Sequence, residues 1–201
     1  RQLQNDPNQP VVLHLLGAIA HQVGKNDVAV DLITRALGFK PDLVEAHSNL
    51  GLAFKELGKL EEAVASYGKA LELKPDYMEA HYNLGLAFKE LGKLDEAVDS
   101  YRKALDIKPD YAEARNNLGT VLHDLGKIDE ALESYQKALF IKPNYAEAHN
   151  NLGVVLRVLG KLDDAIASSH KALAIMATHI GALSNLGTIL YEMGKFDEAL
   201  K

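Results

Sequence analysis

The chain has 201 residues, of which 47% are hydrophobic and 25% charged, an ordinary globular composition that argues against intrinsic disorder. A formal net charge of −6 gives no basic footprint for tracking phosphates, so nucleic acid is not an expected partner, and the absence of cysteine excludes disulfides and thiolate metal sites. No apolar run approaches the roughly 20 residues of a membrane span, so no membrane insertion is expected and a cytoplasmic setting is the default.

The first stretch, RQLQNDPNQP, has no signal-peptide core and no initiator methionine. Residues 1–9 align with the tail of a preceding helix pair. From Pro10 onward the chain repeats itself: Leu16, Leu50, Leu84, Leu118, Leu152 and Leu186 recur every 34 residues, each followed by glycine. Two alanine series keep the same step, Ala29 through Ala199 and Ala36 through Ala172. A strict period of this length is the mark of a stacked helical repeat. The units run over 10–43, 44–77, 78–111, 112–145 and 146–179, with a partial one at 180–201.

Each unit predicts two helices. In the third, DYMEAHYNLGLAFKELG carries apolar residues at Ala80, Leu84, Ala87, Phe88 and Leu91, one buried stripe at helical spacing, and Gly92 supplies a left-handed stop. Asp76 with Glu79 three residues on predicts a capping box, repeated as Asp42/Glu45, Asp110/Glu113 and Asn144/Glu147. The second helix, KLDEAVDSYRKALDIKP, has Asp95 and Glu96 in its first turn, Lys103 and Lys108 toward its end, and Pro109 to close it. Small residues at Gly and Ala positions let the two helices approach, and Leu and Tyr fill the space around the crossing. The fifth unit departs from the pattern: Ala177 and Thr178 replace Pro and Asp, Gly181 replaces the capping Glu, and Ser169 replaces Tyr. That junction is expected to be the least sharply defined. Both ends cut through a unit, which predicts a segment of a longer protein with room for end-to-end self-association.

Leu-Gly in the first helix, Ala and Tyr in the second, and a closing Pro resemble the tetratricopeptide repeat along essentially the whole chain. The resemblance implies an all-α, right-handed superhelical solenoid of antiparallel helix pairs, a single elongated domain that binds protein or peptide on a concave face lined by the first helices. In this register that face carries Glu79, Tyr82, Asn83, Leu86, Lys89 and Glu90 of the third unit and their equivalents.

Asn49, Asn83, Asn117, Asn151 and Asn185 form a column there, with Leu15 in the first unit. A side-chain amide both donates and accepts, so it can hold an extended backbone without selecting side chains. With first helices on the order of 10 Å apart and about 3.3 Å per extended residue, each rung meets about every third peptide residue. The column resembles the asparagine ladder of O-linked N-acetylglucosamine transferases, where it holds substrate backbones ahead of a catalytic domain. The alternative reading is that these amides bond the neighbouring unit. Beside them stand Tyr82, Asn116 and Asn150 and a partly basic line of Lys55, Lys89, His123 and Arg157, flanked by Glu56, Glu90 and Asp124.

His47, His81 and His149 read as packing residues, since no second ligand at i+4 completes a helical metal pair. No acid/base pair, nucleophile constellation or phosphate-cradling loop stands out, so the expected role is a non-catalytic protein- or peptide-binding scaffold without metal or cofactor. A substrate-recruiting arm of a glycosyltransferase is the alternative. A co-chaperone role ranks lower, because the basic clamp of that subfamily is replaced by Ser48, Tyr82, Asn116 and Asn150.

Overall fold

The computed structural model describes residues 9–194, and all regular structure among them is α-helical. The reading of residues 1–9 as the tail of an earlier pair therefore lies, but for Gln9, outside the described residues, as does Ala199. Contacts gather the chain into two compact units, Arg1–Lys108 and Pro109–Lys201. The first contains α1 (Gln9–Gln22), α2 (Asn26–Phe39), α3 (Val44–Glu56), α4 (Leu60–Leu73), α5 (Met78–Glu90) and α6 (Leu94–Ile107). The second contains α7 (Ala112–Asp124), α8 (Ile128–Ile141), α9 (Ala146–Val158), α10 (Leu162–Ile175) and α11 (Ile180–Glu192). Within each unit consecutive helices pack as pairs, and the second helix of a pair also packs on the first helix of the next.

The turn inside a pair is set by glycine. After α5 the Gly92 N–H donates to Lys89 O at 3.0 Å and the Lys93 N–H to Phe88 O at 2.9 Å, the two bonds of a Schellman stop, with Gly92 at φ 72°. Gly24, Gly58, Gly126, Gly160 and Gly194 share this left-handed backbone. Proline favours the turn between pairs: Lys74, Lys108 and Lys142 lie toward extended ψ values ahead of Pro75, Pro109 and Pro143, where the helix ends, although Met176 adopts the same backbone ahead of Ala177.

The capping boxes do not form. The N-cap residues of α3, α5, α7 and α9 are Leu43, Tyr77, Tyr111 and Tyr145, with no side-chain bond to the first turn. Asp42, Asp76, Asp110 and Asn144 thus stand one residue too early, at N′, where the side-chain oxygen cannot reach N3 in capping geometry. The turn is instead tied from inside the helix. His47, His81 and His149 each donate from Nε2 to the carbonyl of the proline six residues earlier, at 2.8, 2.9 and 2.9 Å. Arg115 does the same to Pro109 O with Nη2 at 2.7 Å and Nε at 3.0 Å.

The α10–α11 junction, expected to be the least defined, has its own closure. His179 is the N-cap, and its Nδ1 accepts from the Ala182 N–H at 3.1 Å, the one side-chain N-cap bond among the described helices whose N-cap is assigned. With Nδ1 an acceptor, Nε2 carries the proton and donates to Glu147 at 3.2 Å.

The core follows the small residues. In the first unit Ala20, Ala29, Ile33, Ala46, Leu50 and Ala53 form one buried cluster, and Ala63, Tyr67 and Ala87 another. A glycine on the first helix is in close contact with a tyrosine ring on the second in three of the pairs, and in α1–α2 Ile33 takes the ring's place, 2.5 Å from where a Gly17 Cβ would be. A Cβ on Gly51, Gly85 or Gly119 would lie 2.6, 2.7 and 2.7 Å from Cε1 of Tyr67, Tyr101 and Tyr135 respectively. Burial pushes the Tyr135 hydroxyl up to about 12, only partly offset by its bond to Thr120 Oγ1 at 3.4 Å.

These distances predict opposite outcomes for two glycine-to-alanine changes. Gly119→Ala must displace a buried ring and should cost about 1–3 kcal/mol, whereas Gly68→Ala, a helical position with nothing within 4 Å, should raise stability by up to about 1 kcal/mol. Chemical denaturation of the two variants checks this, and equal effects would mean that ring contact does not limit the helix approach.

Candidate functional site

The column asparagines occupy the middle of the first helices, two residues after the side chains that tie the proline carbonyls. They are not equivalent. In the first unit Asn49 is half-buried and its Nδ2 donates across the repeat seam to His14 Nε2 at 2.8 Å. Since the amide nitrogen can only donate, His14 Nε2 must be unprotonated. Asn83 is also half-buried and has no polar side-chain partner within its unit. In the second unit Asn151 donates to Asn116 Oδ1 at 3.1 Å, across the same 35-residue step, and accepts from Asn150 Nδ2 at 3.3 Å. Asn117 is half-buried.

Three of the expected groove residues lie elsewhere. Asn185 is buried to 7% exposure and donates to Ser169 Oγ at 3.3 Å. The cause is Ser169 itself. Where Tyr67, Tyr101 and Tyr135 fill the pair interior, the serine leaves room, and the Asn185 amide turns in to stand 2.9 Å from where a Gly153 Cβ would be. Asn116 and Asn150 are 3% and 9% exposed, held beneath the column as its bonding partners. The column amides that keep partial exposure are therefore Asn49 and Asn83 in one unit and Asn117 and Asn151 in the other.

The basic line is largely neutralised along the seams. Lys55, 18% exposed at its side chain, lies 3.0 Å from Glu56 and 3.8 Å from Glu90. Arg157 pairs with Glu192 at 2.8 Å, and His123 Nδ1 stands 3.5 Å from Asp124. Lys89 is half-buried and has no ion-pair partner among the described residues. Tyr82 is half-buried with its ring centroid 5.9 Å from that of Tyr101 at a tilt of 52°. The column glutamates also work between repeats, Glu113 with Lys142 at 2.8 Å and Glu147 with His179.

A second kind of concavity lies at the C-terminal ends of the second helices. One is lined by Leu71, Pro75, His81, Lys103 and Ile107, another by Leu139, Pro143, His149, Lys171 and Ile175. Sequence reasoning passed over these positions because each residue looks like ordinary helix surface alone. The signal was in the column: Phe140 stands where the other units have Gly38, Glu72, Asp106 and Ala174.

No group of three or more metal-ligating side chains gathers among the described residues, and no helix among them is long and apolar enough to cross a membrane.

Helix pairs of this length, with Gly-Tyr contacts and proline closures, are the architecture of the tetratricopeptide repeat. The family model described as TPR repeat matches residues 51–92, 85–126 and 119–158, and a second, described as tetratricopeptide repeat, matches 144–201. The chain belongs to the tetratricopeptide repeat family and is a scaffold of the protein-interaction class. Among solved structures it is similar to MamA, with 30% identity over 79% of this chain and 93% of that one and a TM-score of 0.75. The fold is also that of YrrB, described as a TPR protein with an unusual peptide-binding site, at 22% identity over 91% and 94% of the two chains and a TM-score of 0.77. A tetratricopeptide repeat protein from Parabacteroides merdae has a TM-score of 0.83 at 20% identity, over 96% of this chain and 77% of its own. No curated protein matches the chain.

Two histidines at the seams are held neutral. Burial lowers the pKa of His14 below its ordinary 6.5, only partly opposed by Glu45. Burial also lowers that of His149, with Lys171 adding to the effect and the Pro143 carbonyl opposing it. His149 Nδ1 is buried without a partner, so a second proton has no acceptor. The unfolded chain therefore takes up protons before the folded one does. The stability these groups contribute is present above about pH 6.5 and is lost as pH falls toward their folded values. The thermal midpoint should drop between about pH 7.5 and about pH 5.5, and by less in the His14→Gln, His149→Gln double variant. An identical drop in both proteins would assign the pH dependence to other groups.

Proposed function

We propose that this chain is a non-catalytic scaffold that holds extended segments of a partner protein along the first helices of its repeats, with backbone hydrogen-bonded to Asn49 and Asn83 within the first unit and, separately, to Asn117 and Asn151 within the second. The observation that carries the reading is the state of these amides: they are half-buried and recur every 34 residues in the sequence, and Asn83 has no side-chain hydrogen-bond partner among the described residues. An amide left half-open beside apolar helix surface is a group whose hydrogen bonds a peptide backbone can complete. Tyr82 and the unpaired Lys89 flank Asn83, so that unit adds an aromatic face and one cation to the backbone contacts. Lys55 and Arg157 contribute through their ion pairs, and His123 stands beside Asp124, which limits the groove to partners of mixed charge rather than strongly acidic ones.

Two observations support this reading. The fold is shared with YrrB, described as having a peptide-binding site, and the same position recurs in successive repeats, which is how a solenoid builds an extended binding surface. The arm of a glycosyltransferase remains an alternative resting on the column's resemblance, and a catalytic domain in the full reading frame would favour it. The seam bonds of Asn49 and Asn151 show that part of the column also joins repeats.

Asn83 separates binding from structure because its side chain makes no hydrogen bond among the described residues. Peptides selected against the chain from a random-peptide display library should bind Asn83→Ala about fivefold more weakly, the loss of one hydrogen bond of about 1 kcal/mol. The melting temperature should stay unchanged. Asn151→Ala should lose both affinity and stability. If groove-directed peptides bind Asn83→Ala and Asn117→Ala as they bind the parent chain, the column is structural.

A further inference from the structure

The two larger concavities at the ends of the second helices are the same site in two repeats; a third, of about 300 Å³, has Asp110, Arg115, Lys137, Phe140 and Ile141 at the equivalent positions. In the first unit a cavity of about 580 Å³ is lined by His81, Lys103 and Ile107, together with Asp76 and Asp106. In the second unit a cavity of about 610 Å³ has His149, Lys171 and Ile175 at the equivalent positions. In both, the histidine is tied to the proline carbonyl that forms part of the wall. The scaffold is thus preserved and the chemistry is changed. Asn144 stands in place of Asp76, and Ala174 in place of Asp106, so the second cavity has no carboxylate among its lining residues.

Two further differences point the same way. Phe140, 89% exposed, stands at its edge, in a column that holds Glu72 and Asp106 elsewhere. Ile175 and Met176 extend the apolar rim at 41% and 50% exposure. Neither Lys171 nor Lys103 of the first cavity has an ion-pair partner among the described residues, but Lys103 shares its lining with Asp76 and Asp106 while Lys171 shares its own with no carboxylate; Lys69 and Lys137 in the same column pair with Glu72 and Glu133. In a chain of net charge −6, an acid-free apolar hollow with one uncommitted ammonium is a local reversal of the surface. An exposed phenylalanine and an unpaired lysine side by side gain nothing for the fold, and both gain from a ligand that is apolar and anionic.

We propose that the cavity between α8 and α10 is a docking site for a short segment of a partner protein in which a bulky apolar side chain stands next to a carboxylate. The apolar side chain packs against Phe140 and Ile175, and the carboxylate binds the Lys171 ammonium. The cavity of the first unit rejects the same segment, because Asp76 and Asp106 place two carboxylates where the ligand would bring a third. The site is on second helices, apart from the asparagine column, and holds whether or not that column binds peptide.

The protein carries its own control. Asn144→Asp with Ala174→Asp gives the second cavity the acids of the first at positions that are exposed and already tolerated in an earlier repeat. The whole chain is used to select from a random-peptide display library, and the selected peptides are titrated by fluorescence polarisation. Peptides pairing an aromatic or large aliphatic residue with Asp or Glu should be recovered. They should bind Lys171→Glu and the double-acid variant about tenfold more weakly, with circular dichroism unchanged and with no loss in Asn83→Ala. The reverse pair, Asp76→Asn with Asp106→Ala, should raise the number of binding sites for these peptides. Recovery only of peptides without a carboxylate, or equal binding to Lys171→Glu, overturns the proposal. So does loss of their binding through Asn83→Ala, which moves the site to the groove. Self-association in sedimentation that Phe140→Asp abolishes would make the occupant a second copy of this chain and overturn the assignment to a partner segment.

Discussion

The contact between a glycine on the first helix and a tyrosine ring on the second governs the rest of this structure. At Gly51, Gly85 and Gly119 the ring lies where a Cβ would be, so the two helix backbones come closer than any larger residue permits. Dispersion and the burial of a full aromatic ring stabilise the pair, on the order of 1.5–3 kcal/mol for a large side chain removed from water. That proximity sets where the second helix can lie, and so which of its residues meet the next pair. When the ring is missing, at Ser169, the consequence travels: Asn185 fills the space, and an amide is withdrawn from the surface.

A second layer of bonds fixes how successive pairs meet. The ties from His47, His81, Arg115 and His149 to proline carbonyls satisfy acceptors that a helix end would otherwise leave open, and they do so from within the helix rather than from its cap. Across the seam, polar side chains about one repeat apart bond each other: His14 with Asn49, Asn116 with Asn151, Lys55 with Glu90, Arg157 with Glu192. Most are at least partly exposed and individually modest in energy. Their importance is directional, since each specifies register between neighbours whose apolar contacts alone are tolerant of sliding. Neutral histidines at these seams make that register sensitive to acid.

The surfaces available for binding are what remains after these demands are met. On the first helices the remainder is the partly exposed edge of the asparagine amides, of which Asn49 and Asn151 also bond across the seam. On the second helices it is a row of hollows beside the proline turns, and divergence among repeats has changed their charge while leaving their shape. A solenoid allows this because each repeat contacts only its neighbours, so one hollow can be altered without rebuilding the next. Duplication supplies the shape, and substitution at exposed positions such as Asn144, Phe140 and Ala174 supplies the difference.

The period of 34 residues, the alternation of two amphipathic helices, the glycine stops and the proline closures were legible in the chain alone, because each depends on residues within one unit. The family followed from the same residues. The helix caps were not legible: an acid three residues before a glutamate looks like a capping box, and only the backbone shows that Leu43, Tyr77, Tyr111 and Tyr145 hold the N-cap position. Nor was the fate of the asparagines. Asn49, Asn83, Asn117, Asn151 and Asn185 are identical in sequence, yet their exposure depends on a side chain 35 residues earlier or 16 residues earlier in the chain. Local pattern determines that a helix forms and which stripe it buries. Which polar groups are left open is decided by the neighbouring repeat, and so by tertiary structure.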